Sequence, residues 1–248
     1  MKSWRAFSAE QIGPLHVKQN LPMQDSHLFK YYSWGFVAVV SDGLGSKKYS
    51  QIGSSSVCKS VCKWANIWSK HKELCFNDIL RFIYSDWVMR VSPKVPSDCA
   101  CTVLICICIH NTVFFAQLGD GMICFNSNDD STCPSDFIVD DKNDSFSNMT
   151  DAFSNTFDLN KFITKKIDAK YLKFIVMTTD GVSDDIKPNL RIDFTKSISE
   201  ECCQNSSRKN NSMLKKMLIE WPVPNHSDDK TIIVIINKTI AAIFNPNT

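Results

Sequence analysis

Residues Trp34 to Ser46 read WGFVAVVSDGLGS, a run of β-favouring apolar residues that breaks off at an Asp-Gly step. Such a run predicts a buried strand, and its end places one carboxylate, Asp42, at the strand's carboxyl terminus. Alone, an Asp-Gly step after a strand is an ordinary turn, because glycine supplies the positive φ that turns demand. The pattern recurs, however, in TVFFAQLGDG (Thr112 to Gly121) and KFIVMTTDG (Lys173 to Gly181), which close on Asp120 and Asp180. Two further acidic positions open strands instead of ending them. Asp25 precedes Ser26 to Tyr32, and Asp228-Asp229 precedes Lys230, Thr231 and the apolar run Ile232 to Ile236. In an antiparallel sheet the carboxyl end of one strand lies beside the amino end of its neighbour, so all five groups can share one rim. Each ionised pair about 4 Å apart would then repel by roughly 4 kcal/mol at an effective dielectric of 20. Divalent cations are the natural relief.

Composition narrows the class. A chain of 248 residues with 44% hydrophobic and 22% charged residues reads as one globular domain spanning residues 1–248. The net charge of +2 and the lack of arginine clusters interleaved with aromatics argue against a nucleic-acid partner. The lysines at 161, 165, 166, 170 and 173 read as a solvated face. Eleven cysteines occur without any CxxC spacing, and MKSWRAFSAEQIG lacks the apolar core of a signal peptide, which predicts free thiols and a cytoplasmic setting. Those of CACTVLICICI are expected in the core. No uninterrupted apolar run is long enough to span a membrane. The expected state is a monomer.

Along the chain, Trp4 to Gln24 is expected to supply an edge strand before Ile12-Gly13-Pro14 turns it. Strands over Leu28 to Tyr32 and Ser33 to Val40 follow at hairpin distance. Val57, Val61, Trp64, Ala65 and Trp68 fall on one face of a helix, and a second helix is predicted over Phe76 to Val91, stopped by Pro93. Three strands are read next, Cys99 to Ile109, Thr112 to Leu118 and Met122 to Asn126. The acidic stretch Ser127 to Asp151 reads as a surface region with one strand near Phe137 to Val139. Phe162 to Tyr171 is ambiguous, Lys173 to Thr179 a buried strand, Ser197 to Glu220 one helix, and Ile232 to Ile236 the last strand. Strands, a helical pair, strands, a helix and a strand predict an α+β fold with two packed sheets flanked by helices.

The ordered set GxxH…PxQD, VVSDGxGS, CTVL, LGDG, NMT, TTDGVSD and DDKT resembles the metal-dependent protein phosphatases of type 2C, most closely their stand-alone bacterial branch. The resemblance runs from Gly13 to Val234. It implies a four-layer α-β-β-α sandwich with two mainly antiparallel sheets, and a centre of two or three Mn²⁺ or Mg²⁺ ions at one end. Carried over by position, Asp42 corresponds to the carboxylate shared between two metals and the Gly43 carbonyl to a further ligand. Asp180 and Asp228 correspond to ligands of the first metal, and Asp120 with Asp180 to holders of a third, assisted by Asp184. Asp25 falls near the second metal, and Thr102 and Asn148 at structural positions. The implied activity is hydrolysis of serine and threonine phosphomonoesters in phosphoproteins by a water activated between the cations.

Departures from the pattern are equally specific. Where most members carry a phosphate-gripping arginine, this chain has Leu15-His16-Val17-Lys18, so His16 is either a phosphate donor or a satisfied histidine in a turn. Gln24 replaces a glutamate, Leu44 a histidine and Asp229 an asparagine. The rival reading is therefore a pseudophosphatase that binds a phosphoprotein partner without hydrolysing it, and a phosphatase of small phosphorylated molecules is a third.

Overall fold

The computed structural model describes residues 3–71, 73–127, 135–139, 150–223 and 227–238. Two five-stranded sheets face each other. One runs β1 (Trp4–Gln11), β10 (Lys230–Asn237), β9 (Leu172–Thr178), β6 (Met122–Ser127), β7 (Ser135–Val139). The other runs β2 (Ser26–Tyr32), β3 (Gly35–Ser41), β4 (Val103–Ile109), β5 (Thr112–Leu118), β8 (Ile163–Asp168). All strand pairs among the described residues are antiparallel.

Side-chain alternation builds the layers, since successive residues of a strand face opposite sides. Along β3, Phe36, Ala38 and Val40 enter the space between the sheets, where Ile175, Met177, Ile233 and Ile235 meet them. Val37 and Val39 point the other way, onto α2 (Ser50–Trp68) and α3 (Phe76–Val91), against Val57, Val61, Ile83 and Trp87. The outer face of the first sheet packs Val176, Ile232 and Val234 against Ile198, Cys202, Leu214 and Leu218 of α5 (Arg191–Gln204) and α6 (Ser207–Ile219). Strands apolar on both faces therefore sit between helical layers, giving the α-β-β-α sandwich.

Several boundaries differ from the sequence expectation. The stretch expected as one helix over Ser197 to Glu220 is two. Asn205 is extended (φ −112°, ψ 162°), Ser206 caps α6 by accepting from the Lys209 amide, and Asn210 Nδ2 donates to the Cys202 carbonyl at 2.7 Å to hold the pair together. The strand expected from Cys99 begins at Val103, because Pro96–Cys99 forms a tight 3-10 turn and Cys101 pairs singly with Gly43 and Phe153. The ambiguous stretch 162–171 contains β8, and the segment before Asp25 adds a short helix, α1 (Pro14–Gln19). Of the acidic stretch, β7 is described as a strand, while Asn148 lies outside the described residues.

Candidate metal centre

The rim where the acidic motifs meet follows from strand pairing. Ser41 at the end of β3 is opposite Ser26 at the start of β2, which brings Asp42 beside Asp25. Thr178 at the end of β9 is opposite Ile232 near the start of β10, which brings Asp180 to the side of Asp228. Asp120 arrives differently. β5 and β6 belong to opposite sheets, so Gly119-Asp120-Gly121 is the crossing between them and not a hairpin. Gly119 (φ 88°) and Gly121 (φ 103°) both hold the left-handed backbone that such a sharp crossing needs. Asp180 likewise heads no turn; it opens the short helix α4 (Asp180–Ser183).

Asp42, Asp120 and Asp180 each place a carboxylate oxygen within 4.8 Å of the other two. Two of the three are locally braced. The Asp42 amide donates to Thr102 Oγ1 at 2.9 Å, and its carbonyl accepts from the Thr102 amide at 2.8 Å. Thr150 Oγ1 donates to Asp120 at 2.9 Å. Asp25 receives the hydroxyls of Thr179 and Thr231, both at 2.8 Å, and hydrogen-bonds to Asp42.

The electrostatics record the crowding. Burial drives Asp25 up to about 8, against hydrogen bonds from Asp42, Thr231 and Thr179 that favour its charged form. Burial, followed by the charge of Asp25, pushes Asp42 well above the carboxylate range, so Asp42 is the protonated partner of that pair. Asp180 is raised to about 8 by burial and then by the charges of Asp42, Asp120, Asp228 and Asp184. Protons thus occupy oxygens that a cation would otherwise neutralise. The group contains only carboxylates, with no cysteine or histidine atom, and such hard oxygen donors fit a Mg²⁺- or Mn²⁺-type ion.

Other expected site residues stand further out. Asp228 and Asp184 reach Asp180 electrostatically but lie outside the three-carboxylate group. Gly43 is buried, its amide donating to the Gln24 carbonyl at 3.2 Å. His16 is 8% exposed, with Nδ1 3.0 Å from Asp229 Oδ1, at ion-pair distance but outside hydrogen-bond geometry.

The roles of four residues here, Asp229, Lys230, Thr179 and Thr231, escape a sequence reading. Asp229, 1% exposed, accepts the amides of Gly13 and Gln24, each at 2.6 Å, and so clamps both ends of the 13–24 segment. Gly13 is required there, since a Cβ would stand 2.4 Å from the Asp228 carbonyl carbon. Lys230, 3% exposed, directs its ammonium at the Asp228 carbonyl, 3.3 Å away. Thr179 and Thr231 hold Asp25. The only hint in the sequence is the tandem Asp228-Asp229: in extended backbone neighbouring side chains point to opposite sides, so one faces the rim and the other turns inward.

A family model described as protein phosphatase 2C matches residues 12–220. The chain belongs to the protein phosphatase 2C family. Solved structures share its fold across nearly the whole length. RsbX in complex with magnesium has a TM-score of 0.60 at 14% identity, covering 95% of this chain and 96% of that one. The serine/threonine phosphatase Stp1 from Staphylococcus aureus gives 0.60 at 14% identity, with 94% of each chain covered. The catalytic domain of the serine/threonine protein phosphatase PstP, in complex with 2 manganese ions, gives 0.59 at 14% identity, covering 94% and 98%. No curated protein sequence matches this phosphatase 2C chain. Among its described residues, no helix is long and apolar enough to cross a membrane.

Proposed function

We propose that this protein phosphatase 2C chain is a single-domain, metal-dependent protein-serine/threonine phosphatase that hydrolyses phosphomonoesters in phosphoproteins. The observation that carries the reading is the convergence of Asp42, Asp120 and Asp180, from three sequence-distant motifs, within 4.8 Å at one rim. Clustered carboxylates that must bind protons to coexist are costly unless a cation neutralises them.

In this reading Asp42, Asp120 and Asp180 hold two or three Mn²⁺ or Mg²⁺ ions, with Asp228, Asp184 and the Gly43 carbonyl completing the set. Bound divalent cations supply the charge that makes hydroxide available from water near neutral pH and that offsets charge on a phosphoryl group. Asp25, fixed by Thr179 and Thr231, accepts a proton or hydrogen bond beside Asp42. His16, on the segment that Asp229 clamps, is in this reading the donor to the substrate phosphate in place of the family's arginine.

The test is turnover of p-nitrophenyl phosphate with and without Mn²⁺, in the wild type and in Asp42→Asn and Asp180→Asn. Mn²⁺-dependent hydrolysis that collapses in both variants, with circular dichroism unchanged, is expected. Hydrolysis that survives both substitutions or strong chelation overturns the reading. The rival, a non-hydrolysing phosphoprotein binder, is favoured by two features: the neutral Gln24 at the rim and the Lys230 ammonium already among the acids. It is the outcome if the wild type binds a phosphopeptide yet turns over nothing.

A further inference from the structure

The crossing from β5 to β6 that carries Asp120 has little of its own to hold it. Of Gly119-Asp120-Gly121 only the middle residue has a side chain, and it stands between two glycines in the left-handed region. Glycine is the residue with the most backbone freedom, so such a loop by itself offers Asp120 many positions. A ligating side chain has to be held to within about 0.5 Å. Thr150 Oγ1 braces the Asp120 carboxylate, but the backbone that carries it needs a hold as well.

Gln117 supplies that hold. It lies on β5 just before the crossing, opposite Leu104 of β4 and Ile163 of β8. Alternation turns its side chain to the same side as Val113 and Phe115, into the space between the sheets. There Nε2 donates to the Gly119 carbonyl at 3.1 Å and to the Gly121 carbonyl at 3.3 Å, so one amide ties down both residues that flank Asp120. Because both acceptors are carbonyls, the nitrogen has to be the end that faces the loop. The other end is unfavourable: Gln117 is 1% exposed, and its Oε1 is buried with no hydrogen-bond partner among the described residues. A buried acceptor without a donor costs stability, and a methionine of similar volume would avoid that cost. What accounts for an amide at this place is the work of its nitrogen at the loop.

We propose that Gln117 is the positioning residue for Asp120. It touches neither substrate nor cation and acts through the two carbonyls, fixing the direction in which the Asp120 carboxylate meets Asp42 and Asp180. It thereby sets how tightly the three-carboxylate group binds a divalent cation. This rests on the metal-dependent reading above and adds to it a residue from the interior of the sandwich.

The experiment measures Mn²⁺ binding to the full chain from the electron paramagnetic resonance of the free ion, in the wild type, Gln117→Met, Asp120→Asn and the double variant. Gln117→Met is expected to bind Mn²⁺ about tenfold more weakly. Added to Asp120→Asn, the same change is expected to make less than about a twofold difference, because a residue that works through Asp120 has nothing left to position. Gln117→Asn, which keeps a donor but is one methylene shorter, is expected to lose less, and it carries the test if Gln117→Met does not fold. Ile105→Val, a buried change in the same sheet, separates position from stability: it is expected to lower the melting temperature in EDTA and leave Mn²⁺ binding unchanged. Unchanged affinity in both Gln117 variants overturns the proposal, as does a tenfold loss that persists beside Asp120→Asn. So does an equal loss in Ile105→Val, which would make the effect one of general stability. Turnover of p-nitrophenyl phosphate is followed in parallel. A wild type that binds Mn²⁺ with the stated pattern but hydrolyses nothing sinks the phosphatase reading and leaves the role of Gln117 standing, whereas Mn²⁺-dependent turnover with unchanged affinity in the Gln117 variants does the reverse.

Discussion

Replacing Asp42 by asparagine should make the metal-free protein more stable while abolishing its response to metal. The three carboxylates of Asp42, Asp120 and Asp180 lie within 4.8 Å of one another. At that separation an ionised pair repels by about 3.5 kcal/mol at an effective dielectric of 20. The substitution Asp42→Asn removes two of the three pairs, and the amide it introduces can still donate to Asp25. At neutral pH protonation relieves this repulsion, since Asp42 and Asp180 are both raised above the usual range. What the substitution then removes is the cost of holding the Asp42 proton, about 1.4 kcal/mol for each pH unit above the ordinary carboxylate value and capped by the repulsion avoided. The realised gain at neutral pH is therefore nearer to about 3 kcal/mol, or roughly 6–12 °C in melting temperature for a chain of this size. Thermal melts in EDTA and in millimolar Mn²⁺ read both halves. Wild type should rise with Mn²⁺, because a ligand that binds only the folded state stabilises it; Asp42→Asn should start higher and stay there. A metal-free variant that melts at or below wild type would refute the electrostatic reasoning, because it would mean that these carboxylates are not in conflict.

The same carboxylates set a pH dependence. Asp25 and Asp180 titrate near 8 when folded and near 3.8 when unfolded, so between those values the folded state holds more protons and the metal-free protein loses stability as pH rises. Each pH unit of displacement is worth about 1.4 kcal/mol, so denaturant melts in EDTA should show a fall of several kcal/mol from about pH 5 to 8; a flat profile contradicts it. Lys230→Met removes a fixed positive charge from beside the acids and should tighten Mn²⁺ binding roughly three- to tenfold by calorimetric titration; unchanged or weaker binding opposes that role. Asp229→Ala leaves the Gly13 and Gln24 amides without their acceptor and should cost about 2–5 kcal/mol in urea unfolding, with Asp229→Asn costing less. A loss under about 1 kcal/mol would show that water replaces the clamp.

The rim was legible in residues 34–46, 112–121 and 173–181 because each apolar run ends on an acid, and pairing places such ends beside strand starts. Periodicity likewise marked α3 over Phe76 to Val91 to the residue. It failed where local chemistry competes: the polar run after Cys203 looks like one weakened helix, and only the packing of Asn210 on Cys202 shows two. The helical turn at Pro14 was hidden because its inward residue is a histidine and its outward ones are apolar, the reverse of the usual pattern.

By itself, then, the chain determined most of the strands, the helices α2 and α3, and that carboxylates stand at the strand ends, since these follow from local period and residue type. Only the tertiary structure decided which acids touch. Asp120 joins Asp42 and Asp180 because its loop crosses between sheets, while of the adjacent pair Asp228 and Asp229 one faces the rim and the other is buried as a clamp. Those are matters of distance between segments far apart along the chain, and sequence spacing carries no direct measure of it.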